Sequence, residues 1–228
     1  MTEAGTQTTP RERYRAQVRS EVKERAWKQI ATAGATALSL NAIAKQMGMS
    51  GPALYRYFAS RDDLLTELIR DAYRSLADTF HATAETGTTA ETTASGATGA
   101  APAALAHALR GWALADPHRY LLVYGTPVPG YHAPDDITAI SAEILATLLD
   151  ACATLPPRGP ATPFATHLAD HRQWADGHPA PPAVLHRALT FWTRLHGVLS
   201  LELAGHFAGM DLDPALLFAA ELDDLLAP

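Results

Sequence analysis

Between residues 39 and 61 the chain reads SLNAIAKQMGMSGPALYRYFASR, and its apolar spacing and turn-forming residues leave little choice except two short helices around a tight turn. Ser39 is a good N-cap, its hydroxyl able to accept a free amide of the first turn. Leu40, Ile43, Ala44 and Met47 recur at i, i+3, i+4 and i+7, one face of a two-turn helix. Gly48 stands where a left-handed residue would end that helix, Met49 can lie beneath the turn, and Ser50 can cap again. Pro52 falls in the first turn of the second helix, where its missing amide hydrogen is no loss. Leu54 and Phe58, four apart, face inward, which leaves Gly51, Pro52, Ala53, Tyr55, Arg56 and Tyr57 over the outer face and N-terminal end.

Two helices around a turn are also how any compact bundle turns a corner, so the outer face and the charge around it carry the next step. Small residues at the N-terminal end let backbone approach a groove closely, while Tyr and Arg supply donors for phosphates and base edges. Residues 1–60 hold nine Lys and Arg against four Asp and Glu, whereas residues 61–228 hold nine against twenty. An acidic chain of net charge −6 with a basic N-terminal quarter reads as a nucleic-acid contact surface joined to something with another task. The second helix is therefore the candidate recognition helix.

With those residues in view, the block 18–76 resembles the DNA-binding domain of the TetR family of transcriptional regulators. The likeness runs through Ala26, Ile30 and Gly34 of a first helix, the 39–44 segment, the run Leu54, Tyr55, Arg56, Tyr57, Phe58, and Ser60 and Arg61 opening a fourth helix. The family often has His before the final Phe and Lys after the following Ser, where this chain has Tyr57 and Arg61; both keep a hydrogen-bond donor, although Arg and Lys differ in geometry. The resemblance implies phosphate contacts from Ser39, Tyr55, Tyr57 and Arg61, which set register. It places Asn41, Gly51, Pro52, Ala53 and Arg56 nearest the base edges, with Ser50 at the head of the same helix. Asn suits adenine and Arg suits guanine in the major groove. Arg11, Arg13, Arg15 and Arg19 precede or open the first helix, either as further backbone or minor-groove contacts or as part of a disordered leader.

At 228 residues there is room for this small domain and a second core of roughly 140 residues. The expected division is a disordered leader over 1–12, a helix-turn-helix domain over 13–60, and a regulatory and dimerisation domain over 61–228. A helix at about 62–84 would be shared, since Leu64, Leu65, Leu68, Ile69, Ala72, Tyr73, Leu76 and Phe80 give it a broad apolar stripe. Residues 85–101, rich in Thr, Ala, Gly and Ser, have no bulky side chain to bury and read as a mobile loop. Helical periodicity returns over 103–115, 137–155, 183–207 and 214–226, with a short capped helix after Asp116 and another at about 163–175; GTPVPGYHAP over 125–134 reads as a turn. Nothing alternates over a strand length, so the class is all-α: an N-terminal three-helix helix-turn-helix domain and a C-terminal helical ligand-binding and dimerisation domain.

The second half is similar to a TetR subfamily named for its Trp-His-Gly signature, over most of residues 100–225. The matching residues are Trp112, Ala113 and Leu114, then Pro117 to Tyr120, Gly125 to Pro127, and later Trp192, His196, Gly197 and Glu202. The family implies a homodimer held by a four-helix bundle from the last two helices of each subunit. Leu195, Val198, Leu199, Leu203, Leu216, Leu217, Leu222 and Leu225 would supply its apolar surface. Trp112, Tyr120, Tyr124, Trp192 and His196 are the groups expected nearest an unidentified small-molecule effector, and each is equally readable as a core residue.

Other chemistries find less in the chain. His167 and His171 sit four apart on an expected helix, the geometry of a two-His site, but no third ligand has the right spacing. Asp135 and Asp136 suit a helix N-terminus, and Cys152 among leucines suits a buried thiol. No nucleophile elbow, phosphate loop or dinucleotide turn occurs, so neither catalysis nor a cofactor is expected. There is no apolar run of roughly 18 residues and no secretory segment at the start, so a cytoplasmic location without membrane contact is expected. The expected function is a ligand-responsive regulator released from a palindromic double-stranded operator. The alternative is a small-molecule or metal sensor whose helix-turn-helix no longer reads sequence.

Overall fold

The computed structural model describes residues 9–91, 99–156 and 162–227. Among them the chain forms ten α-helices and two 3-10 turns, without a strand, as an all-α chain should. Two compact units emerge, Met1–Arg70 with Pro127–His132, and Asp71–Thr126 with Ala133–Pro228.

In the first unit, α1 (Pro10–Ala33) begins earlier than a leader over 1–12 allows. Thr9 is the reason: its hydroxyl accepts the Glu12 amide while its own amide donates to the Glu12 carboxylate, a capping box ahead of Pro10 at the first helical position. Residues 1–8 of the expected leader lie outside the described residues. Val18, Val22, Ala26 and Ile30, spaced by four, form the buried stripe of α1. A 3-10 turn (Ala35–Ala37) leads into α2 (Leu40–Gln46), which buries Leu40, Ile43 and Ala44. Met47, expected as the fourth member of that face, is instead the half-buried C-cap residue. Helix α3 (Gly51–Leu54) is a single turn, extended by turns through Tyr57, and Leu54 and Phe58 are wholly buried. Two bonds hold the start of α4 (Arg61–Glu91): the Asp63 amide donates to Ser60 Oγ at 3.0 Å, and the Ala59 amide, one residue before Ser60, donates to the Asp63 carboxylate at 2.9 Å.

Helix α4 buries Leu64, Leu65 and Leu68 in the first unit and Leu76, Ala77 and Phe80 in the second. It does not stop near residue 84, and residues 85–91 of the expected loop are helical. Thr79, Thr83 and Thr86 each return their hydroxyl to the carbonyl four residues back, so these β-branched residues satisfy themselves inside a helix rather than breaking it. Residues 92–98 of that loop lie outside the described residues, and residues 100 and 101 already open the next helix.

The second unit continues with α5 (Ala100–Ala115), α6 (Pro117–Tyr124), α7 (Asp135–Ala153), α8 (Pro163–Asp170), a 3-10 turn (Gln173–Ala175), α9 (Pro182–Leu203) and α10 (Pro214–Leu226). Asp116 caps α6 by accepting the Arg119 amide at 3.1 Å, and Asp135 and Asp136 lie in the first turn of α7. Helix α9 ends four residues before the expected 207, and glycines with positive φ at Gly205 and Gly209 carry the turn into α10. A single apolar core joins all these helices. Across it Arg110 of α5 grips the Glu202 carboxylate of α9 with both guanidinium nitrogens and lies 5.2 Å over the Phe218 ring of α10. Cys152 is fully buried, and burial pushes its thiol up to about 12, far from thiolate reactivity at neutral pH. Among the described residues no helix is long and apolar enough to cross a membrane.

Candidate nucleic-acid interface and effector site

The candidate recognition surface is assembled from local caps and three ties between elements. Ser39 accepts the Ala42 amide at 3.3 Å while its own amide donates to the Gln29 side chain of α1 at 2.9 Å, which fixes where α2 starts. Gly48 takes φ +66°, and the Met49 amide bonds back to Ala44 at 2.9 Å, so the chain turns tightly under α2. A Cβ at Gly51 would sit 3.3 Å from the Asn41 side-chain oxygen, so glycine there lets α3 come close to α2. Ser50 occupies the N-cap of α3, but its hydroxyl makes no capping bond and stays exposed.

On the outer surface Asn41, Ser50, Pro52, Tyr55 and Arg56 are exposed, while Ser39, Gly51, Ala53 and Tyr57 are half-buried among them. Arg61 stands apart from this group. Its guanidinium donates to the Ala35 carbonyl at 2.9 Å and pairs with Asp62 at 3.1 Å, so its donors tie α4 to the 3-10 turn. Arg19 likewise is neither leader nor free contact: it donates to the Tyr57 carbonyl, pairs with Glu67 at 3.1 Å and lies 4.3 Å over the Phe58 ring. Sequence reasoning missed Gln29 and the inward role of Arg19, because each acts on another element, Gln29 across ten positions and Arg19 across 38. Arg11, Arg13 and Arg15 are exposed on α1.

In the second unit the five expected effector residues do come together. Tyr120 is wholly buried, and its hydroxyl meets His196 Nδ1 at 2.9 Å and Ser200 Oγ at 3.0 Å. The His196 ring stacks on Tyr120 and contacts Trp192 and Tyr124, with centroids 4.1 Å and 4.4 Å away. Trp112 closes the far side, edge-on to Tyr120, its indole donating to Ser75 at 3.2 Å. Burial raises both tyrosine hydroxyls, that of Tyr124 well above its ordinary value, and lowers His196 to about 3, so the cluster is uncharged. Two buried polar atoms in it, Tyr124 Oη and His196 Nε2, have no hydrogen-bond partner. A separate cavity of about 390 Å3, which no sequence signal marked, is bordered by His81, Thr83, Glu85, Leu105 and Asp150.

The expected dimer leucines need correction. Leu195, Val198, Leu199, Leu222 and Leu225 are buried in their own core, and Leu203 and Leu217 are partly buried against it. Of the eight only Leu216 is an exposed side chain, at 70%. Helical spacing identifies an apolar face but not the neighbour that covers it: α7, α8 and α10 pack on α9, and α9 and α5 pack on α10. His167 and His171 stack face to face, 3.9 Å apart and 11° from parallel, and no group of three His, Cys, Asp or Glu able to hold a metal occurs among the described residues.

Residues 24–68 match the family model of bacterial regulatory proteins of the tetR family, and residues 103–225, more than half of the chain, match that of the tetracyclin repressor-like C-terminal domain. The chain belongs to the TetR family of transcriptional regulators. Among TetR relatives it is similar to the HTH-type transcriptional regulator Rv1816 of Mycobacterium tuberculosis, 37% identical over 223 residues that cover 93% of this chain and 92% of the relative. A crystal structure described as a regulatory protein, SCO4313, is 65% identical with a TM-score of 0.85, covering 96% of this chain and 100% of that one. A TetR/AcrR-family regulator from Thermobifida fusca shares the fold, at 18% identity and a TM-score of 0.56 over 92% of this chain and 97% of its own. As a TetR regulator the chain carries an N-terminal helix-turn-helix and a C-terminal helical domain.

Proposed function

We propose that this regulator is a homodimeric repressor that holds a palindromic operator through α3 and releases it when a small molecule occupies the aromatic cluster of the second unit. The observation that carries the DNA-reading half is the uncovered outer face of α2 and α3, where Asn41, Pro52, Tyr55 and Arg56 are exposed while Leu54 and Phe58 hold the helix from beneath. In this reading Asn41 and Arg56 meet base edges, Ser39, Tyr55 and Tyr57 meet phosphates, and Arg61 keeps α4 in place. Arg56→Ala is expected to lower affinity for a duplex selected from random DNA by about 10-fold to 100-fold and to relax one base position; Tyr55→Ala should weaken all sequences alike. Fluorescence anisotropy reads both, and unchanged binding by both variants rejects α3 as the reading helix.

The effector site is supported by aromatic walls and by two polar atoms left without partners in an uncharged setting. Release follows as a population shift: an effector that prefers a dimer with its recognition helices wrongly spaced for successive major grooves lowers operator affinity. The dimer itself is assigned to the exposed side of α9 and α10, where Thr193, Gly197 and Leu201 follow at four-residue spacing and Leu216 stands out. A glycine inside a helix costs about 1 kcal/mol against alanine, and nothing lies within 4 Å of a Cβ built on Gly197. Close approach of the partner's helix gives that glycine a purpose. Gly197→Gln is expected to weaken the dimer at least about tenfold by sedimentation equilibrium while leaving helix content intact. An unchanged association constant would remove this face from the interface.

A further inference from the structure

We propose that the first two turns of α1 are a second DNA-contacting element, which grips phosphates flanking the stretch read by α3; the inference rests on the DNA-reading assignment above. Residues 10–17 are all exposed, yet they are helical because Thr9 and Glu12 cap each other. An eight-residue overhang beyond Val18, the first buried side chain of α1, adds nothing to the core of the unit that bears it. Arg11, Arg15, Val18 and Val22 follow at i, i+4, i+7 and i+11, so the two arginines prolong the stripe that the helix buries further on.

Arg19 shows where that stripe leads. Its guanidinium reaches the Tyr57 carbonyl, at the end of the turn that carries Tyr55 and Arg56. Arg15 and Arg11 stand about 6 and 12 Å further along the helix axis from Arg19, whose guanidinium is the tie to the recognition turn. Arg11, Arg15 and Arg19 are like charges at successive four-residue steps, an arrangement that disfavours an isolated helix. Glu12 is the only acid between residues 9 and 20, and its carboxylate is engaged by Thr9. A self-repelling basic face on a capped, overhanging helix suits a polyanion laid against it. Guanidinium forks match phosphate oxygens, and at this distance from α3 they meet backbone rather than bases, which makes the contact independent of sequence.

The test compares the full-length parent with an Arg11→Ala/Arg15→Ala double variant on two duplexes, the selected palindrome alone and the same palindrome with about six extra base pairs on each side. The parent should bind the longer duplex more tightly, and the double variant should bind both alike. Its slope of log affinity against log salt should fall by about 1.8 per subunit, the loss of two phosphate contacts. Arg11→Lys/Arg15→Lys should restore most of the slope, and helix content should be unchanged in both variants. Equal slopes and an equal length dependence in parent and Ala variant overturn the proposal. Loss of all binding in Arg56→Ala together with those equal slopes would overturn the flank contact while leaving the recognition helix standing.

Discussion

Phe58→Ala is expected to unfold the DNA-reading unit first, at a cost of about 3–5 kcal/mol. The ring is wholly buried, and it lies under the Arg19 guanidinium at 4.3 Å, so its removal opens a cavity and frees the side chain that holds Tyr57. Because a unit of some 70 residues has little stability to spare, a deficit of that size is comparable to its whole margin. Urea unfolding followed by circular dichroism should show an early transition that takes part of the helical signal, with operator binding lost at the same denaturant concentration. Phe58→Leu, which keeps most of the volume, should lose about 1–2 kcal/mol and retain binding. A parent-like single transition in Phe58→Ala would mean that the recognition turn is held by its backbone bonds rather than by this ring.

The second large effect concerns acid. His196 is buried with its folded-state value near 3, lowered by desolvation from the usual 6.5. Above pH 6.5 the ring is neutral folded or unfolded and contributes no penalty. As the pH falls from 6.5 towards 3, the unfolded chain takes up a proton that the folded one refuses, so stability falls across that window. The loss amounts to about 2 kcal/mol by pH 5 and about 4 kcal/mol near pH 3. Urea midpoints measured at pH 7.5, 6, 5 and 4 should fall more steeply for the parent than for His196→Phe, which removes the titrating ring. Parallel curves would place this imidazole in contact with water in the folded state. The same refusal bears on the proposed effector site. With Tyr120, Tyr124 and Trp192 as its neighbours, His196 offers a neutral hydrogen-bonding edge, which favours an uncharged polar group on whatever binds at the proposed site.

Much of the reading head was legible because its determinants are local. A hydroxyl at Ser39, glycine at Gly48 and proline at Pro52 each act within one turn of their own position, and all three stand where helix caps and turns require them. The hydroxyl of Ser50 is the exception, since an N-cap position does not oblige the side chain to bond. At the far end of α4 the error had the same root in reverse. A composition of Thr, Ala, Gly and Ser suggested a loop over 85–101, whereas α4 runs to Glu91 and Thr86, inside that stretch, bonds its hydroxyl to the Ala82 carbonyl of the same helix.

By itself, then, the sequence determined the helical class, the turn between α2 and α3, the inward pair Leu54 and Phe58, and the gathering of basic residues at one end, because these depend on neighbours within a few positions. Tertiary structure alone decided which partner each face meets. Leu195 and Leu222 turned inward to a core of their own, Arg61 turned to Ala35, and Arg19 turned to Tyr57 and Phe58. It also drew Tyr120 and His196, 76 positions apart, into one hydrogen-bonded pair. The physical reason is the same throughout: periodicity records that a side chain leaves water, while the element that receives it is set by packing across the whole unit.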